Sequence, residues 1–290
     1  MTSPNGGSRF ERPIFIVSTP RSGSTLLFET MEQAPNLFTT GRESHQLIEQ
    51  IPGFRPAERG WSSNRLDASD ALPEKVAQLE ANFLERVRDR AGAAPKGSFR
   101  LLEKTPKNAL RVPFFASAFP DSLFIYLYRE PRQTLGSMLE AWLSGAFRTY
   151  PALPGWTGHP WSMLLVPGWE ELNGRLLPEI AAHQWRITTE ALVTDLSSLP
   201  SERVCDASYA DLVRDPQALL QRLTNFAGLD WDRQLPPQLP PSKTTVSRPG
   251  PDKWRRFGDA IEAVLPIVEE ADARARSFIA SLDKETAEIR

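Results

Sequence analysis

The chain has 290 residues and a formal net charge of −2, with 40% hydrophobic and 24% charged residues. That length buries a large core, which favours one large α/β domain over two small ones, and the composition is that of a soluble globular protein. So even a charge balance excludes a global electrostatic case for nucleic acid or an anionic membrane, and any anion site has to be built locally. A single cysteine, Cys205, excludes an internal disulfide and fits a reducing compartment. The three histidines, at 45, 159 and 183, are too scattered for a zinc site, so no metal is expected. No apolar stretch has the length of a transmembrane segment, and MTSPNGGSRFER lacks the apolar core of a signal peptide, so a cytoplasmic location is expected.

In chain order, residues 1–12 read as a flexible tail rich in Gly, Ser and Pro, ahead of a single domain over 13–290. PIFIV is an apolar run with β-branching, the signature of a strand buried on both faces. Leu27, Met31 and Ala34 then recur at helical spacing until Pro35. A second helix is expected over 72–90, with Val76, Leu79, Phe83 and Val87 on one face. SFRLLEK and DSLFIYLYRE are two further strands, each running into a Pro-containing junction and a helix, around 107–118 and 132–143. A fourth strand, RVCDASYA, precedes one helix, DLVRDPQALLQRLTNFAG, ended by Gly228. Strands alternating with helices argue for a doubly wound parallel sheet. Between 142 and 185 the pattern gives way to Pro, Gly and five tryptophans, an irregular insertion about 144–175 expected to pack at the sheet's carboxyl edge. LPPQLPPSK (235–243) reads as an extended connector.

The loop STPRSGST follows the first strand, where ligands of such sheets bind. Gly23 permits a tight turn, successive N–H groups and the next helix favour an anion, Ser22, Ser24 and Thr25 add hydroxyls, and Arg21 adds a fixed charge. The Walker pattern is absent: Ser18 stands where its first glycine belongs and Ser24 where its lysine belongs. A second anion site is expected at YREPRQTLGS, with Arg129 at a strand end and Ser137 eight residues on, both facing one crevice.

TPRSGSTLL resembles the 5′-phosphosulfate loop of sulfotransferases that use 3′-phosphoadenylyl sulfate (PAPS), and YREPRQTLGS resembles their 3′-phosphate signature. LLEKTPKNALRVPFF, SYADLVRDPQALLQRLTNFAGL and TTVSRPGPDKWRRF resemble three later segments of the family. The resemblance implies a three-layer α/β/α, P-loop-NTPase-like sulfotransferase fold with a central parallel sheet. It also implies sulfuryl transfer from PAPS to an acceptor hydroxyl by in-line displacement, with adenosine 3′,5′-bisphosphate (PAP) as product. Arg21 departs from the lysine usual in cytosolic small-molecule members and leans toward the bacterial and Golgi-type branches.

By the same likeness, Arg21 with the amides of Ser22, Gly23, Ser24 and Thr25 holds the 5′ end, and Arg129 with Ser137 holds the 3′-phosphate. Lys104, at a strand end, stabilises the bridging oxygen, and Tyr209 lies near the adenine and phosphate. Ser247, Lys253, Trp254 and Arg255 form a cofactor-covering loop, though the family's Gly-x-x-Gly-x-x-Lys form is absent there. Glu43 is the first candidate for the base and His45 the second. Lipid, polyketide, glycan, peptide tyrosine and small-molecule hydroxyls all stay open as acceptors, as does the oligomeric state. The alternatives are a nucleotide kinase or other phosphotransferase, and a non-catalytic nucleotide-binding protein on the same fold.

Overall fold

The computed structural model describes residues 8–288. Five strands form one parallel sheet: β1 (Ile14–Val17), β2 (Leu37–Phe38), β3 (Arg100–Glu103), β4 (Leu123–Tyr128) and, after two strands of the insertion, β7 (Val204–Ser208). Their spatial order is β2-β3-β1-β4-β7, with Ile14 opposite both Leu102 and Leu123 and Tyr126 opposite Asp206. The period-2 alternation of a strand sends Phe15, Val17, Leu101, Phe124 and Tyr126 to one face. Ile14, Ile16, Leu102, Ile125 and Leu127 go to the other. Helix α1 (Ser24–Met31) and, near the C-terminus, α8 (Pro216–Ala227) cover the second face through Leu27, Met31, Leu220 and Leu223.

The first face carries most of the remaining helices. These are α3 (Pro73–Arg86), α4 (Val112–Ala118), α5 (Pro131–Ser144), α6 (Leu177–Ser197) and α9 (Gly258–Glu288); α2 (His45–Glu49) is a single short turn beside them. The fold is therefore the three-layer α/β/α arrangement expected, with both faces of the sheet buried.

Several elements differ from the sequence reading, each for a physical reason. The tail expected over 1–12 is tied down before residue 13. Phe10 is 3% exposed, packs in tilted contact with the Phe99 and Phe119 rings, and its neighbours bond the Phe99 backbone. Residues 1–7 lie outside the described residues. α3 stops at Arg86, because Arg88 turns extended to exchange backbone hydrogen bonds with Thr39 at 2.8 and 2.9 Å. The single helix expected over 211–228 is two, α7 (Tyr209–Arg214) and α8, since Pro216 cannot donate and Asp215 leaves helical geometry to cap the second. The insertion contains a small antiparallel pair, β5 (Arg148–Tyr150) and β6 (Trp161–Ser162). Trp142, Trp156, Trp161 and Trp169 meet edge to face around it at 4.9–6.1 Å. Among the described residues, no helix is long and apolar enough to cross a membrane.

Candidate active site

β1 and β4 are neighbours, so the loops leaving their carboxyl ends open side by side. The loop after β1 turns sharply into α1. Gly23 sits at φ +97°, and a Cβ there would lie 2.4 Å from the Tyr209 ring, so both backbone angle and space demand glycine. Arg21 also takes a left-handed conformation, φ 67°, a strained geometry for a non-glycine residue that aims its side chain across the crevice. Ser22 is fully buried, and its hydroxyl pairs with that of Thr19 at 2.6 Å. The hydroxyl of Ser22 thus braces the turn rather than facing a ligand. Ser24 and Thr25 open the first turn of α1, whose N-cap, Gly23, has no side chain to satisfy the amides there.

The two anion motifs meet directly. Arg129 donates from Nη1 to the Arg21 carbonyl at 3.1 Å, and its guanidinium lies 4.1 Å over the Tyr209 ring. Arg21 reaches Ser137 Oγ with Nε at 3.4 Å and the Thr244 carbonyl with Nη2 at 3.1 Å, and lies 4.5 Å over Phe147. The Arg21 side chain therefore stands with the second motif, not folded over its own loop. Burial first, then the charge of Arg129, pulls the Arg21 guanidinium below its ordinary value, and burial does the same at Arg129. Among the described residues neither arginine has a carboxylate partner within 4.0 Å, while 16 other Lys or Arg ion pairs are formed. Two half-buried, unpaired cations side by side make a site that asks for an anion.

On the other side of the loop, Lys104, one residue past β3, donates to Thr25 Oγ1 at 3.0 Å and to Glu43 Oε1 at 2.8 Å. Lys104 is 4% exposed at its side chain and Glu43 34%, so the lysine lies inside and the carboxylate at the rim. His45 Nδ1 stands 3.9 Å from Glu43 Oε2. Burial, then the charge of Lys107, lowers the His45 pKa from its usual value, so its neutral, proton-accepting form persists to lower pH. Behind it Glu49 accepts from Lys107 at 2.8 and 3.0 Å and from the fully buried Arg111 at 2.8 Å. Burial opposes the charge on Glu49, but Arg111 and Lys107 outweigh it and hold the carboxyl below the usual range.

Two clefts flank this centre. One, of about 590 Å³, has a mostly polar lining that includes Arg42, Glu43, Gln46, Glu85, Arg86 and Arg88. The other, of about 660 Å³, runs between α1 and the Pro-rich connector and has a mixed lining, with Leu26, Leu235 and Leu239 beside Glu29, Asp232 and Arg233. Leu26 directly follows Thr25, so that cleft begins at the first turn of α1.

The covering segment closes over α5, through a residue the sequence reading passed over. Ser247 Oγ donates to Glu140 Oε1 at 2.6 Å, Arg256 Nη1 to the same oxygen at 2.8 Å, and Lys253 Nζ bonds Glu140 Oε2. Glu140 is 7% exposed. Burial opposes its charge, but the Lys253 and Ser247 bonds and the Lys253 and Arg256 charges hold its carboxyl below the usual range. Trp254 presses on α5 at Gly136, where a Cβ would lie 2.8 Å from Trp254 Cα and Cβ. Arg255 instead faces solvent, bonded to Asp252 at 2.8 Å and 5.0 Å over Trp254. Ser247 and Lys253 are thus engaged by the protein itself. The arginine that reaches Glu140 beside them is Arg256, itself 54% exposed, and not Arg255.

Comparison with known proteins agrees with this architecture. Residues 13–233 match the family model described as "Sulfotransferase family", and the chain belongs to that family. Protein-tyrosine sulfotransferase A of Caenorhabditis elegans is 21% identical over 237 residues, 80% of this chain and 54% of the relative's own length. A Caenorhabditis briggsae sequence ascribed to the same class is 24% identical over 229 residues, 79% of this chain and 69% of its own. Among solved structures, the sulfotransferase domain of the Synechococcus PCC 7002 olefin synthase superimposes with a TM-score of 0.50 at 22% identity, covering 91% of this chain and 97% of that domain. The chain is a sulfotransferase, and the kinase alternative finds no support.

Proposed function

We propose that this sulfotransferase takes its sulfuryl group from PAPS and passes it to an acceptor hydroxyl, leaving PAP. The observation that carries the reading is the pair Arg21 and Arg129, half-buried and without a carboxylate partner, joined at the Arg21 carbonyl, with Arg21 reaching on to Ser137. PAPS supplies a sulfuryl group on a phosphate leaving group. Arg129, Ser137 and Arg21 grip the 3′-phosphate, with charge-assisted and forked arginine contacts selecting it. The amides of residues 22–25 face the 5′ end at the start of α1, and Lys104 places its ammonium where charge grows on the bridging oxygen. The cleft that begins at Leu26 takes the adenosine, since the other cleft holds Glu43.

Glu43 takes the acceptor's proton from the rim of that other cleft, and the shared Lys104 keeps base and leaving oxygen in one line. The polar lining suits a peptide or glycan hydroxyl better than a lipid chain. A tyrosyl hydroxyl is the acceptor that the relatives' names support. A cytoplasmic location, which a single cysteine suits, is part of the same proposal. Titration calorimetry tests the carrying observation: PAP should bind at least about thirtyfold more tightly than AMP, the scale of one or two hydrogen bonds to a charged group. Equal affinities would remove the 3′-phosphate site.

A further inference from the structure

The chemistry above gives no task to Glu103, an acid buried to 2% exposure at the end of β3. Its oxygens take neutral donors rather than a cation. Oε1 accepts from the Thr105 hydroxyl at 2.6 Å and from the Ser44 hydroxyl, and Oε2 from the Asn108 amide at 2.5 Å. The Ser44 N–H in turn donates to Thr105 Oγ1 at 2.8 Å. Burial pushes the Glu103 carboxyl up, and the three side-chain hydrogen bonds pull against it. An apolar side chain would fill a strand end at lower cost, so packing alone gives no reason for an acid.

The sequence position of its partner gives that reason. Ser44 is the middle of Glu43–Ser44–His45, and it is 1% exposed while the side chains on either side are 34% and 40% exposed. The run is fastened at its centre to the end of the strand that leads into Lys104, while the flanking side chains stay part-exposed and Glu43 lines the polar cleft. Lys104 also bonds Glu43, but an ammonium on a flexible stem sets a distance and not a direction.

We propose that Glu103 is a positioning residue: through Ser44 it fixes where the Glu43 carboxylate and the His45 ring stand relative to Lys104. The inference rests on the reading of Glu43 as the base, and the test separates the two. With three histidines in the chain, the His45 titration is readable by NMR. The groups facing that ring are Glu43, Glu49, Lys107 and Arg111. Glu103→Gln and Ser44→Ala should each raise the His45 midpoint by about half a pH unit, as the loosened ring regains water. The double variant should go no further than either single one, because both cut the same tether. PAP affinity should stay within about twofold, since the nucleotide site is not touched.

Glu43→Gln should move His45 the other way, by removing a negative neighbour. Ser44→Ala covers the case in which Glu103→Gln does not fold. If Glu43→Gln lowers the midpoint while Glu103→Gln and Ser44→Ala leave it in place, the positioning role is overturned and the base reading stands. If Glu43→Gln leaves sulfuryl transfer from labelled PAPS to 4-nitrophenol unchanged, the base reading falls, and with it any purpose in holding Glu43.

Discussion

Two pairs of cations flank β1, one buried and one half-buried, and they are built on opposite terms. Lys107 and Arg111 share the carboxylate of Glu49, so that interior charge is closed within the fold. Arg21 and Arg129 have hydroxyl, carbonyl and aromatic neighbours and, among the described residues, no carboxylate partner within 4.0 Å. The first group is finished when the chain folds; the second, on the function proposed above, is finished by the nucleotide. Structural and binding cations are distinguished here by what neutralises them, not by burial or residue type.

The sharpest way to break that contrast is to remove the internal counter-charge. Glu49→Gln leaves two buried cations uncompensated and should cost about 3–5 kcal/mol of stability. Urea unfolding reads it directly, and a loss under about 1 kcal/mol would put the two groups on the same footing. Next in size, Arg129→Met should weaken PAP binding about a hundredfold, roughly 3 kcal/mol of charge-assisted hydrogen bonding. The ligand-free protein should be at least as stable as before, because an unpaired charge has left the interior. A large drop in the melting temperature without ligand would mean that Arg129 is structural after all.

A smaller effect belongs to the covering segment. Glu140→Gln takes away the anion on which Ser247, Lys253 and Arg256 converge, so trypsin should cut after Lys243 or Arg248 about three to ten times faster. Unchanged cleavage would show that Trp254 alone holds the segment down. The smallest effect is at His45. Its folded pKa is depressed below the unfolded value near 6.5, so its share of stability is complete above that pH and is lost as pH falls toward the folded value. His45→Asn should flatten part of the decline in melting temperature between about pH 7 and pH 5. His183 is depressed in the same direction by burial and sets the background slope.

What the sequence made legible follows from where each signal resides. β1 and β4 are buried on both faces, and such strands write themselves as apolar runs; the glycine and the arginines at their ends were readable for the same reason. β2 is two residues long and carries no period at all. Glu140 looked like any helix glutamate, since its burial comes from residues 107 to 116 positions away. The choice of Arg256 over Arg255 turned on the phase of one 3₁₀ turn, Lys253–Phe257, against α5. Nothing in the order of two adjacent arginines encodes that phase. Gly136 carried a readable hint, because a glycine inside a helix costs about 1 kcal/mol and invites a reason.

That glycine has a practical consequence. The covering segment rests on bare backbone at position 136, one residue before Ser137, so a single added methyl would act as a doorstop. Under the function proposed above, the nucleotide held at Ser137 sits one residue from that seam. The bulk of one side chain, with no change to any charge, therefore offers a throttle on how fast the enzyme empties itself between turnovers.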